Sequence, residues 1–219
     1  MKHSKNAIRL DFPKKVRNEF QTIAKRIITF AQSRLPEHKK LMSFGIDEVN
    51  GETQSYIFYM DGQANNELKF EFVNDLSWAE LQHALPDLER FCQKYSLERS
   101  FTMAGGHDVP PHRHHYTPKS MWSITMFLGD SPGTIKFYEP TAPVKAGYQF
   151  ENLSRDMNMW RCSEEIKSLP GDFYSLNTWV WHGWVGSEPK LSAYGALFYI
   201  KDSTTQKDAL ASIERINSL

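Results

Sequence analysis

The sequence predicts a mostly β protein with flanking helices, its strands rolled into an antiparallel barrel or jelly roll. Two observations carry this. Short strand-like runs recur from Arg99 to Ile200, near 99–104, 109–116, 121–128, 134–138, 144–150, 157–163, 172–176, 179–185 and 191–200. Turn signals separate them, among them Gly105-Gly106, Gly129-Asp130, Ser131-Pro132-Gly133, Pro170-Gly171 and Ser187-Glu188-Pro189, and short strands so spaced are the mark of closed antiparallel folds. Second, helical periodicity is confined to segments outside this run.

Taken in order, residues 1 to 12 read as a loose arm or an added edge strand. Val16, Phe20, Ile23, Ala24, Ile27, Ile28 and Ala31 recur at helical spacing between about Lys14 and Arg34, and Pro36 closes that helix. Leu41–Val49, Thr53–Met60 and Glu67–Val73 read as a meander, with Asn50-Gly51 and Asp61-Gly62 as its turns. Ser77 to Glu80 has the pattern of a capping box, opening a helix to about Ala84 that Pro86 renews through Tyr95. Ser203 and Gln206 are the expected caps of a last helix carrying Leu210, Ile213 and Ile216. The expected organisation is an α/β extension over 1–98, the β domain over 99–202 and a closing helix over 203–219.

Composition narrows the function classes. The 219 residues hold 26 basic and 26 acidic side chains, so the formal net charge is zero and the basic excess of a dedicated nucleic-acid binder is missing. Cys92 and Cys162 lack CxxC spacing and are expected as small core residues of a reduced, cytoplasmic protein. No apolar leader core and no run approaching about 18 apolar residues occurs, so no membrane partner is expected. Neither GxSxG nor GxxxxGK[ST] is present, which removes the nucleophile elbow and the phosphate loop.

Chemistry concentrates in PPHRHHYTPK. Three of the eight histidines, His112, His114 and His115, fall within four residues. On a strand His112 and His114 share one face, with Arg113 and His115 on the other. His182 follows about seventy residues on in an aromatic strand, where a rolled-up sheet brings distant strands together. Imidazole binds iron, zinc, copper and nickel, so His112, His114 and His182 form a candidate metal set. Each piece also has a plainer reading, a solvated turn for HRHH and a packed core residue for His182. Trp122, Tyr138, Trp179, Trp181 and Trp184 are candidates for a substrate pocket or for core packing.

Here the sequence resembles a known superfamily. Gly106 followed after five residues by His112-x-His114 resembles the first motif of the cupins, whose acidic residue would fall at Pro118 or Lys119. Pro170-Gly171-Asp172 followed by Trp181-His182 is similar to the second half of iron(II)/2-oxoglutarate oxygenases. Ser123-Ile124-Thr125 through Gly129 to Lys136-Phe137-Tyr138 and Pro140 looks like their JmjC-type members. The resemblance covers about Gly105 to Ile200. It implies a double-stranded β-helix, Fe(II) held by His112, His114 and His182, and 2-oxoglutarate as cosubstrate. It further implies a lysine for the distal carboxylate, either Lys136 or the Lys190-x-Ser192 pair, with hydrogen bonds from Thr125 and Tyr138, and a substrate pocket lined by Trp122 and Tyr138.

One departure stands out. The oxygenases carry His-x-Asp or His-x-Glu, and this chain carries His114 in that place. Asp108, from outside the motif, is the alternative source of a carboxylate. Three readings therefore stay open: a 2-oxoglutarate-dependent oxygenase acting on a small molecule, amino acid or peptide; a three-histidine cupin dioxygenase or isomerase without 2-oxoglutarate; and a cupin-like binding protein. The N-terminal helices offer a surface for a homodimer under any of them.

Overall fold

The structure, a computed structural model, describes residues 4–33, 46–49, 52–55, 71–73, 82–105, 108–113, 119–128, 132–142, 157–186 and 193–219. Its strands in chain order are β1 (Ala7–Leu10), β2 (Ile46–Val49), β3 (Glu52–Ser55), β4 (Glu71–Val73), β5 (Leu97–Gly105), β6 (Asp108–His112), β7 (Trp122–Phe127), β8 (Gly133–Pro140), β9 (Trp160–Ser168), β10 (Phe173–Asn177), β11 (His182–Gly186) and β12 (Ala193–Ile200). The helices are α1 (Lys14–Ser33), α2 (Leu88–Tyr95) and α3 (Gln206–Asn217). A single 3₁₀ turn, Met157–Met159, leads into β9.

Two antiparallel sheets face each other. The larger runs β1-β10-β7-β12-β5-β4 and the smaller β6-β11-β8-β9, while β2 and β3 form a separate hairpin. Most neighbours in each sheet are far apart in sequence, and from β5 to β12 successive strands alternate between the sheets except β8 and β9, which pair with each other in the smaller one. That is the double-stranded β-helix, the cupin-like jelly roll. β1 is an added edge strand, as one reading of the N-terminal arm anticipates, and it pairs with β10 from Ala7 opposite Leu176 to Leu10 opposite Phe173.

Alternation along the central strand explains why the larger sheet is buried on both sides. All six residues of β7 are buried. Trp122, Ile124 and Met126 join one core cluster with Val16, Phe20, Ile23 and Ile27 of α1, Leu88 and Cys92 of α2 and Ile213 and Ile216 of α3. Phe127 belongs to the second cluster, with Tyr174, Leu176, Leu197 and Tyr199 from its own sheet and Ile135, Phe137 and Trp184 from the smaller one. The periodicity predicted for α1 is thus the stripe that covers the sheet.

The ends of these elements have local causes. Pro170-Gly171 makes the turn into β10: Gly171 takes φ +82°, open to glycine without a Cβ clash, and the Asp172 N–H donates to the Leu169 carbonyl. Thr205 caps α3, its hydroxyl accepting from the Asp208 N–H while the Asp208 carboxylate accepts from the Thr205 N–H. The expected cap, Ser203, does something else. It is buried, donates to the Ile200 carbonyl at 2.7 Å and accepts from the Trp122 N–H at 3.2 Å, tying the end of β12 to the start of β7. Cys92 is a core residue as expected, its thiol pushed up to about 12 by burial. Cys162 is exposed on β9, an edge strand of the smaller sheet, beside the point where the β8–β9 ladder slips. The segment 144–150 and the capping box at Ser77–Glu80 lie outside the described residues. Among the described residues no helix is long and apolar enough to cross a membrane.

Candidate metal centre

The two histidine segments meet across one strand pair. β6 and β11 are antiparallel, and His182 is the Cα partner of His112. Residues directly opposite in such a pair share a sheet face. The ladder then slips: Trp184 pairs with Val109, so three steps along β6 match two along β11. Pro110 and Pro111 fall in that extra step. Proline has no N–H to give a ladder, and it is tolerated at a bulge and on an edge strand; β6 is the edge of the smaller sheet. The diproline thus lets His112 stand opposite His182.

His182 points into the jelly roll. It is only 6% exposed, and Trp184, two residues on and so on the same face, is buried in the inter-sheet core. Its other neighbour across the ladder is Phe137, whose ring lies 6.4 Å away. His182 Nδ1 is 2.8 Å from the Val180 carbonyl oxygen. A carbonyl only accepts, so Nδ1 carries the proton and the ring's lone pair sits on Nε2. A metal-binding imidazole is ordinarily held this way, one nitrogen donating to a fixed acceptor and the other turned to the metal. The residues present fit a divalent transition metal: an oriented imidazole in an apolar wall, with a second histidine opposite it in register. His114, the expected third ligand, and His115 lie outside the described residues, and among the described residues no three metal-binding side chains converge. Asp108 is the Cα partner of Val185, a position on the sheet face away from His182 and Trp184.

The other expected site residues divide by pleat. Thr125 lies on the inner face of β7, between Tyr174 and Leu197 in register. It is 4% exposed and 3.1 Å from the Ser123 hydroxyl. These two hydroxyls, with Tyr199, are polar groups of an otherwise apolar wall, and Ser123 is a residue that sequence reading passed over. Lys136 is corrected by the register: it is the partner of Gly183 and Glu165, one residue out of phase with Phe137. It therefore faces away from His182, and its Nζ pairs with Glu165 Oε1 at 2.9 Å. Trp122 is corrected likewise, since it packs among the helices on the far side of the larger sheet. Tyr138 is buried, and its ring meets Trp160 edge-on at 6.4 Å, while its N–H bonds the Trp181 carbonyl. Lys190 and Ser192 lie outside the described residues.

Beside the histidines is a group that the sequence did not single out. The Arg113 guanidinium lies over the Trp181 ring, 4.9 Å from its centroid, and Trp181 in turn packs on Trp160 at 4.7 Å. Arg113 is half-buried, and that burial pulls its pKa below the ordinary arginine value. The only signal in the sequence was adjacency: Arg113 and Trp181 flank His112 and His182 on the side where the ladder ends.

With this geometry in hand, comparison with known proteins adds likeness of architecture. No family model and no curated protein matches the sequence. Among solved structures, AviO1 from Streptomyces viridochromogenes Tue57 aligns with 13% identity over 92% of this chain and 91% of its own, at a TM-score of 0.44. A Burkholderia pseudomallei oxidoreductase of the 2OG-Fe(II) oxygenase family aligns with 12% identity over 90% and 85%, at 0.41. The Escherichia coli ribosomal oxygenase YcfD aligns with 12% identity over 84% of this chain, at 0.39. The chain spans 45% of the length of YcfD and 20% of that of Streptomyces albus HEPD. At such identities and TM-scores none of these likenesses assigns an activity to this chain.

Proposed function

We propose that the protein is a non-haem iron(II) oxygenase that uses 2-oxoglutarate to hydroxylate a small molecule, amino acid or peptide. The observation that supports it most is the pairing of His182 with His112 across β6 and β11, with the His182 ring buried and its Nδ1 fixed on the Val180 carbonyl. His112, His114 and His182 are the ligands in this reading. Bound iron(II) supplies the dioxygen chemistry, and the chain supplies position and shelter. The Val180 carbonyl holds His182 in the tautomer that leaves Nε2 for the metal. Phe137 and Trp184 keep bulk water from that side of the site. The Thr125 and Ser123 hydroxyls are the donors for a cosubstrate carboxylate on the inner face, with Lys190 and Ser192 as its cation and further donor. The names of YcfD, a ribosomal oxygenase, and of the Burkholderia 2OG-Fe(II) oxygenase family member agree with this class and do not carry it.

A second reading has its own support. His114 stands where a carboxylate is usual, and three neutral ligands leave the metal more positive. Lys136 faces away from His182. Both features suit a three-histidine dioxygenase or isomerase that takes no keto-acid. The deciding experiment measures metal content and 2-oxoglutarate binding on one preparation. One metal per chain is expected, falling at least tenfold in His182→Ala and in His112→Ala, together with iron-dependent 2-oxoglutarate binding and succinate release. Metal bound by the histidines without 2-oxoglutarate binding selects the second reading. Metal content untouched by either substitution removes both.

A further inference from the structure

We propose that Arg113, its guanidinium over the Trp181 ring with Trp160 packed on that ring, is the anchor for a carboxylate on the substrate. The inference rests on the reading of His112 and His182 as a metal centre, and it names the class of substrate that centre would serve, a small organic acid.

Three observations converge on it. Arg113 is a half-buried cation, and among the described residues no carboxylate pairs with it; its guanidinium lies over the Trp181 ring. A desolvated guanidinium is costly unless an anion meets it. A cation–π contact with an indole does not consume the guanidinium N–H donors, which can take a carboxylate bidentately. Trp160 is 7% exposed, and its Nε1–H is buried with no acceptor among the described residues, so a second donor in the same aromatic step lacks a partner there. Lastly, position is set by covalent neighbours: Arg113 follows His112 and Trp181 precedes His182, the two residues that the ladder places opposite each other. An anion gripped there lies one residue along the chain from each histidine, at the end of the β6–β11 pair, where the ladder stops and Trp181 packs against the inter-sheet cluster.

Other unassigned features carry less. In the cavity lined by Arg9, Asp11, Arg17 and Asp172 both cations are already engaged, Arg9 with Asp172 at 2.8 Å and Arg17 with the Gly171 carbonyl at 3.1 Å. The groove between α1 and α2 holds Lys94 paired with Glu19.

The test titrates the full chain with phenylacetate and with neutral phenylacetamide, following tryptophan fluorescence, before and after loading with Fe(II) under anaerobic conditions. Phenylacetate is expected to bind at least tenfold more tightly than the amide. Arg113→Gln is expected to abolish that preference while keeping the metal content and melting temperature of the parent. Trp160→Phe is expected to weaken phenylacetate several-fold and the amide little. Equal binding of acid and amide by the parent, or an unchanged preference in Arg113→Gln, overturns the proposal. So does competition in which 2-oxoglutarate displaces phenylacetate from metal-free protein, since the carboxylate recognised would then be the cosubstrate's. Metal content in His182→Ala is read separately: its loss with the acid preference intact supports both the metal centre and the anchor. Unchanged metal content there, with the acid preference still lost in Arg113→Gln, removes the metal reading alone.

Discussion

The two faces of the six-stranded sheet are built from different chemistry. Towards the helices the packing is hydrocarbon on hydrocarbon: the Phe20 ring meets those of Phe12, Phe91, Tyr95, Phe173 and Phe198 at centroid distances of 4.8 to 6.4 Å. Towards the smaller sheet the same strands present Ser123, Thr125, Tyr174 and Tyr199 among their apolar residues, with His182, Phe137 and Trp184 opposite. One face is packed for stability, and the other keeps polar groups where a ligand can use them. Strict alternation along β7, β10 and β12 serves both at once, so a slip of one residue would exchange them.

The largest break of that contrast is Phe20→Ala. It removes the ring at the centre of the helix face and should cost about 3–5 kcal/mol, read by denaturant unfolding. A cost under about 1 kcal/mol would mean the helices contribute little to holding the sheet. On the inner face the matching change is an addition. A Cβ built on Gly133 runs into the Trp184 indole, whose Nε1 donates to Ser168. Gly133→Ala should therefore cost about 1–3 kcal/mol by overpacking and shift the tryptophan fluorescence; an unaltered spectrum would show that Trp184 is not pinned there.

A smaller effect separates the faces by pH. Burial first, and then the charge of Asp172, push the Tyr174 hydroxyl up to about 12 from 10.0, while it donates to the Lys167 carbonyl at 2.9 Å. The folded state holds this proton more tightly than the unfolded chain does. The contribution is therefore complete below pH 10 and is lost as pH rises through the interval to about 12, on the order of 2 kcal/mol. Tyr174→Phe should flatten that part of the alkaline stability profile; an identical slope in the variant would assign the loss elsewhere. Thr205→Ala, which removes the cap of α3, should lower stability by about 1 kcal/mol and leave metal content alone. Least of all is expected from Lys136→Met: its ion pair with Glu165 is on the outer face, so 2-oxoglutarate binding should not change. A clear loss of binding would return Lys136 to the site.

Periodicity and turn chemistry alone determined most of the element plan. The α1 stripe, the turn at Pro170-Gly171 and the approximate places of the strands from β5 to β12 follow from local sequence, because side-chain spacing and backbone freedom are properties of a few neighbouring residues. The strand expected at 157–163 instead opens with a 3₁₀ turn and runs Trp160–Ser168, and β1 is one of two readings of the arm. The pairing of a histidine near 112 with His182 was legible as well, since two imidazole segments in strand-like surroundings ask for a common face. Only the tertiary structure decided which way each strand turned. Lys136 and Trp122 looked like site residues because their motif neighbours did. Their faces are set by partners far away in sequence, Gly183 and Glu165 for one and the α1 helix for the other. Ser203 looked like a cap until β7 arrived beside it. Arg113 was set aside because a regular strand turns it from the histidines, yet the end of the ladder leaves it stacked on Trp181. Pleat phase and strand ends depend on non-local register, and the physical content of this site, a fixed imidazole on β11 and a guanidinium over the Trp181 ring, exists only once β6 lies against β11.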